Sequence, residues 1–174
     1  TRNGVITAAV SSINFLYDNF NIKLPYFWGG KYTGKGFSNE FGNYINNPTE
    51  SRGGNLYYYK SFDCSGFVQW AIINGGFKNP GTGTSNYDSS FSDKCSISSS
   101  DCIGAPGDLI NSPNGHVELI LGVDVDKQLY YVAESTYLGV IIRARGLHKN
   151  NSKKNISILK LDDFYSKNAL TNGG

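Results

Sequence analysis

The sequence predicts an α+β domain, on three observations. Residues 4–20 repeat apolar side chains at three- and four-residue steps, residues 64–74 do the same between an aspartate and a pair of glycines, and the chain beyond Pro106 reads as short β-rich runs separated by turns. Helices first and an antiparallel sheet second is the order of an α+β fold, not of alternating βαβ units.

In the first helix the recurring positions are Val5, Ala8, Ala9, Ser12, Ile13, Leu16, Tyr17 and Phe20, with Asn3 as the expected cap and Pro25 beyond the end. Residues 29–61 are rich in Gly, Asn, Ser and Tyr and keep neither period. Loops this long inside a compact domain are functional or disordered as a rule. In the second helix Cys64, Phe67, Val68, Ala71 and Ile72 share a face, Asp63 suits the N-cap and Asn74-Gly75-Gly76 the stop. Residues 77–104 are again irregular. Strands are expected over 107–110, 116–122, 129–134, 140–145 and 156–161, with a turn at Asn114-Gly115, a hairpin connection over 124–127 and a terminal helical turn over 162–168. No internal repeat or linker interrupts the chain, so residues 1–174 are expected to form one domain.

The 174 residues suffice for one core and hardly for two. Rings are abundant, with 12 Tyr and 10 Phe, so core and groove are expected to be ring-lined. A charged fraction of 17% and a net charge of +2 exclude a nucleic-acid footprint; the lysines are scattered, and the run Lys149 to Lys154 reads as a solvated turn. The absence of Met points to a processed product or a domain cut from a longer protein, and a missing N-terminus would also remove any signal peptide. No apolar run approaches the ~20 residues that cross a bilayer. Three cysteines leave at least one unpaired. Cys95 and Cys102, in a Ser-rich stretch, are either a small extracellular-type disulfide or two unrelated loop thiols.

Cys64 is the candidate nucleophile. A helix N-terminus stabilises a thiolate with unpaired N–H groups and partial positive charge, and Asp63-Cys64-Ser65-Gly66 sets Cys64 in the first turn, with Gly66 expected to leave room for a substrate. The alternative is an inert buried cysteine. The base that takes the thiol proton and later protonates a leaving amine must be one of two histidines. His116 opens a strand right after a turn and can reach a helix tip from a sheet edge; His148, among Lys149, Asn150 and Asn151, reads as a solvated loop residue. A third polar group should orient the imidazole. Glu134, on the strand that pairs back, is expected roughly opposite His116; Glu118, two residues along the same strand, is the rival.

Four segments in order resemble the NlpC/P60 family of cell-wall cysteine peptidases. Pro25-Tyr26-Phe27-Trp28-Gly29-Gly30 is similar to its aromatic–Trp-Gly-Gly signature, Asp63-Cys64-Ser65-Gly66-Phe67-Val68 to its nucleophile segment, Pro106-Gly107-Asp108-Leu109-Ile110 to the strand before its histidine, and Gly115-His116-Val117-Glu118 to its histidine strand. Glu134 falls where the family carries a variable third polar residue.

The resemblance implies a papain-like core in permuted order, with the nucleophile helix packed on an antiparallel sheet of about five strands. It implies attack by Cys64, His116 as base and then acid, and Glu134 as orienting group. Tyr26 and the Cys64 backbone N–H would serve the oxyanion, and Trp28, Asp63 and Ser65 the substrate. The implied substrate is the peptide stem of bacterial peptidoglycan, cut between γ-D-glutamyl and a diamino acid, with no metal or organic cofactor. The implied setting is extracellular, at the cell wall, in a monomer that accompanies other hydrolase or anchoring modules of one parent chain. The chain departs from the family in two long stretches, 31–61 and 77–104, which would border the cleft, and in Glu118, where the family often has Gly. Tyr32, Tyr44, Tyr57, Tyr58, Tyr59, Asn86 and Tyr87 in those stretches suit sugar or peptide contact and loop packing alike. Competing readings are a CHAP-type amidase or endopeptidase, a non-catalytic wall-binding module, and a thioester-forming acyltransferase.

Overall fold

A computed structural model of the chain describes residues 1–20 (the side chains of 15–20 aside), 26–27, 29–37, 40, 43–48, 56–58, 60–81, 83–113, 115–148 and 155–170. Pro25, Trp28, Tyr59, Asn114 and the run 149–154 lie outside the described residues. Within them the chain forms helices α1 (Arg2–Phe20), α2 (Cys64–Asn74), α3 (Thr84–Ser90) and α4 (Asp162–Asn168). The strands are β1 (Lys94–Ser96), β2 (Leu109–Ser112), β3 (His116–Asp124), β4 (Leu129–Thr136), β5 (Gly139–Gly146) and β6 (Ser157–Leu159). The strands make one antiparallel sheet in the order β1-β6-β2-β3-β4-β5. The fold is α+β.

The sheet has six strands, not about five. The additional one, β1, lies in the stretch expected to be irregular and pairs with β6 through Lys94↔Leu159 and Ser96↔Ser157. Three residues of mixed exposure carry no period; the strand is held by a disulfide between Cys95 and Cys102, with Cα atoms 5.8 Å apart. Helix α3 occupies the same stretch and escaped notice because its sequence, TSNYDSS, buries one side chain, Tyr87. The cap expected at Asn3 is supplied by Thr1, whose Oγ1 accepts the Gly4 N–H at 3.1 Å, so α1 starts two residues earlier than Asn3 would allow.

Helix α2 is the centre of the molecule. Every residue from Cys64 to Ile73 is buried, the polar Ser65 and Gln69 included. Phe67, Val68, Ala71 and Ile72 pack between Val5 and Ala9 of α1 and Val117, Leu119, Ala133 and Val140 of the sheet. The larger of these side chains, such as Phe67, Val68 and Ile72, each contribute about 1.5–3 kcal/mol when fully buried. The opposite sheet face builds a second cluster from Ile110, Ile120, Tyr130, Val132 and Ile158, covered by Ile97, Cys102 and Leu147. The Tyr130 hydroxyl accepts the Gly104 N–H there at 2.9 Å. Strands β2 to β4 therefore send alternate residues into two cores, which is why their apolar runs are nearly continuous.

Asp108 joins the periphery to this frame. Its buried carboxylate accepts Arg2 Nη1 at 3.0 Å, the Leu161 N–H at 3.0 Å and the Ala105 N–H at 2.9 Å, tying α1, the entry to β2 and the start of α4 together. Arg2 also bonds the Pro106 carbonyl at 2.7 Å and stacks 5.0 Å from the Tyr165 ring centre. Removing one partner of a buried charged pair strands the other, so Asp108→Ala is expected to lower unfolding free energy by about 3–5 kcal/mol, read from urea unfolding.

Candidate active site

Cys64 is the first residue of α2. Asp63 caps the helix, its Oδ1 accepting the Gly66 N–H at 2.6 Å. As a first-turn donor, the Cys64 N–H has no acceptor within its own helix. The segment is locked from behind by Gly30: the Asp63 N–H donates to the Gly30 carbonyl at 3.1 Å, and a Cβ on Gly66 would lie 2.0 Å from that same oxygen. Gly66 thus serves the approach of two backbones and not, as expected, that of a substrate. Lys31, following Gly30, reaches over the helix tip to pair with Asp63 and donate to Ser65 Oγ at 2.8 Å.

His116 opens β3 directly after Gly115, whose carbonyl lies 4.0 Å from Cys64 Sγ. Its Nε2 lies 3.1 Å from Glu134 Oε2, and Cys64 is near enough for its side chain to act on the imidazole. With Nε2 held by the carboxylate, Nδ1 is the nitrogen left for the sulfur. Burial disfavours the imidazolium, but the Cys64 and Glu134 side chains outweigh it and push His116 up to about 9 from its ordinary 6.5. His148 is not a solvated loop residue: it is half-buried and its Nδ1 lies 3.1 Å from the Ile97 carbonyl.

Both candidate carboxylates belong to the cluster, in different places. Continuing the Leu119↔Ala133 pairing brings Glu134 alongside Glu118, so His116 is diagonal to Glu134 and not opposite it. Glu134 is the one on the imidazole; Glu118 is held by Arg143 and Arg145. They are 1% and 2% exposed. Arg143 of β5 bonds Glu134 Oε1 through Nε at 2.6 Å and Glu118 Oε1 through Nη2 at 3.0 Å, and Arg145 pairs with Glu118 Oε2. Burial raises both acids, but the His116, Glu118 and Arg143 contacts of Glu134 win and hold it below the usual range. Glu118 goes the other way: burial exceeds the help of Arg145, and the neighbouring Glu134 pushes it further up. Negative charge thus settles on Glu134, next to the imidazole.

The facing atoms of His116, Glu118 and Glu134 lie within 4.8 Å of one another, a spacing that suits a divalent cation. The donors are committed elsewhere: both carboxylates bind guanidinium groups, whose charge opposes a metal ion at that point.

Two clefts meet at the Cys64–His116 pair and share Tyr26 and Gly115 as lining. One, of about 450 Å³, runs past Cys64, Lys31 and Ser65 to Thr84 and Ser85 at the start of α3. The other, of about 700 Å³, runs past His116, Glu134 and Arg143 to Tyr57 and the exposed Tyr137–Leu138 tip of the β4–β5 hairpin. Both long stretches border the cleft, the first through Lys31, Leu56 and Tyr57, the second through Gly83 to Ser85. Tyr26, Asp63 and Ser65 line it; Trp28 lies outside the described residues. Tyr87 is not a surface contact: it is fully buried, donates to the Ser65 carbonyl at 3.3 Å and supports the helix tip from below. Burial, then the charges of Asp63 and Cys64, holds its phenol well above the usual range. Tyr44 and Tyr58 are exposed and stack on each other, with ring centres 6.1 Å apart.

Sequence reading missed Lys31, Arg143 and Arg145. The two arginines recur at the strand period on one face of β5, a signal that was present but had no partner until the register was known. Lys31 had no signal beyond standing next to Gly30.

No protein-family model matches the chain, and no curated protein matches it. Among solved structures it is similar to the peptidoglycan hydrolase RipB from Mycobacterium tuberculosis, at 16% identity and a TM-score of 0.41, over 87% of this chain and 66% of that one. At that distance the likeness carries no functional inference.

A histidine whose folded value is raised adds stability in full below its unfolded value near 6.5, and loses it as pH rises through about 9. The His116 ring is expected to titrate near 9 by NMR, and Glu134→Gln to bring the midpoint down toward 6.5; a midpoint of 6.5 in the unsubstituted protein would contradict these contacts.

Proposed function

We propose that this protein is a cysteine endopeptidase that cuts the peptide stem of bacterial peptidoglycan between γ-D-glutamyl and the following diamino acid. The observation that carries the chemistry is the single cluster of Cys64 at a helix tip, His116 near enough for the sulfur to act on its ring, and Glu134 on the far nitrogen of that ring, bordered by two clefts that share Tyr26 and Gly115. The four-segment resemblance to NlpC/P60 peptidases supports the substrate class, and with it an extracellular place of action at the cell wall.

In this reading the sulfur of Cys64, its proton held on His116, attacks the amide carbonyl carbon. The developing oxyanion takes hydrogen bonds from the Cys64 backbone N–H and from Tyr26. The C–N bond breaks as His116 delivers its proton to the leaving nitrogen, leaving an acyl group on sulfur as a thioester. Water then attacks the thioester, giving its proton to His116, and the carboxylic acid product and free thiol are released. Glu134 keeps the ring oriented and its charge favours the imidazolium on which the first step depends. Asp63 and Ser65 act through position: they fix the helix tip and hold Lys31 at the cleft wall.

The test is mass spectrometry of fragments released from purified peptidoglycan. Stem fragments ending in γ-D-glutamate, with new diamino acid N-termini, are the expected product. Release of whole stems from the sugar would instead indicate an amidase. Cys64→Ala and His116→Ala are each expected to cut the rate by at least about a thousandfold with the fold intact by circular dichroism, and Glu134→Ala to cut it less. Undiminished release by Cys64→Ala would refute the nucleophile and favour a binding module.

A further inference from the structure

The two halves of the cleft differ in what they offer. A general acid must reach the leaving nitrogen, so the leaving side of a cut amide lies over the His116 half and the acyl side over the Cys64 half. Within the His116 half, Arg143 is the permanently charged lining residue. Its side chain is 46% exposed although its inner edge is fully engaged: Nε binds Glu134, and Nη2 binds Glu118 at 3.0 Å and Glu134 at 3.3 Å. Nη1 has no partner among the described residues.

The charges around it favour an anion on the outer side. Its acidic neighbours, Glu118 and Glu134, are buried behind it, and Arg145 and His116 add positive charge to the same cluster. The Cys64 thiolate and the two carboxylates balance the three cations, but these anions are buried, and the fixed charge that this half of the cleft presents to solvent is the Arg143 guanidinium. A guanidinium pinned on one edge is also pre-ordered, so binding a second carboxylate on its free edge costs little further side-chain entropy.

We propose that Arg143 is a specificity-determining residue whose outward edge binds a carboxylate carried by the residue on the leaving side of the scissile amide. The inference rests on the peptidase reading above. In that reading the leaving residue is a diamino acid. Diaminopimelate carries a carboxylate beside its side-chain amine; lysine carries the ammonium alone, which a guanidinium repels. Arg143 therefore selects diaminopimelate.

The experiment uses synthetic stem peptides that differ only in whether the side-chain carboxylate of diaminopimelate is free or amidated, with a lysine peptide alongside. The unsubstituted protein is expected to favour the free acid by about 10- to 100-fold in kcat/KM, mostly through KM, the range of one charged hydrogen-bonded contact. Arg143→Gln is expected to bring that ratio near parity, and Arg143→Lys to restore part of it. A variant that merely disturbs Glu134 would slow all peptides alike, so an unchanged ratio in Arg143→Gln overturns the proposal, as does equal cleavage of acid and amide by the unsubstituted protein. Failure of the unsubstituted protein to cut any of the three overturns the peptidase reading itself, and this inference with it.

Discussion

Three distant segments meet at one buried oxygen, the carbonyl of Phe62. It accepts the Phe27 N–H at 3.0 Å and the Ser135 hydroxyl at 2.9 Å. Phe27 follows Tyr26, Phe62 precedes Asp63-Cys64, and Ser135 follows Glu134, so this junction sets the separation of the cleft wall, the nucleophile and the orienting carboxylate. Successive residues of a strand face opposite ways. A two-residue step of β4 therefore does two things: Glu134 turns toward the imidazole while Ser135, on the other face, holds the chain entering α2. A nucleophile and a base on separate elements need such a tie, because displacements of about 1 Å weaken proton transfer and attack severely.

The tie sits next to an arrangement that is costly by itself. Two carboxylates side by side in a sheet, both almost without exposure, repel each other and lose hydration. Two arginines and the imidazole offset this, and the division of charge that results is useful. Glu118 yields its charge first because its surroundings raise it, which leaves Glu134 as the ionised partner of His116. The imidazolium is in turn favoured by Glu134 and by the sulfur. Glu118 is thus the rival carboxylate only in sequence; in space it stands beside the working one and gives up its charge to it.

How much of this could be read beforehand follows from the range of each interaction. The capping of α2 by Asp63, the strand opening at His116 and the β3–β4 hairpin rest on residues close in sequence, and they were legible. Asp63, Cys64 and His116 came out of that reading in their proper local settings. Helix α3 and strand β1 were not legible, because Tyr87 is the single buried anchor of α3 and β1 is fixed by a disulfide and by β6, some sixty residues on. Lys31 and the two arginines acquire a role only from neighbours far along the chain. Gly66 was misassigned for the same reason: what it makes room for is the Gly30 carbonyl, which no local pattern reveals.

The register of β3 and β4 shows how narrow the margin is. At the turn the strands pair as Asp124↔Leu129, Val123↔Tyr130 and Gly122↔Tyr131; beyond an irregularity between Ile120 and Gly122 they pair as Ile120↔Val132 and Leu119↔Ala133. Had the first register simply continued, Glu134 would have come alongside Leu119 and shared its face, the one packed on α2, away from His116 and Glu118. The single extra residue of the bulge moves Glu134 one place along β3, which in a strand means onto the opposite face. The same residue turns Ser135 toward α2, where it can reach Phe62. Both functions of that two-residue step of β4 therefore depend on one inserted residue in the neighbouring strand, and the Leu121-Gly122 step, where the Gly lacks a side chain to hold the regular pleat, is where the sheet can accommodate it.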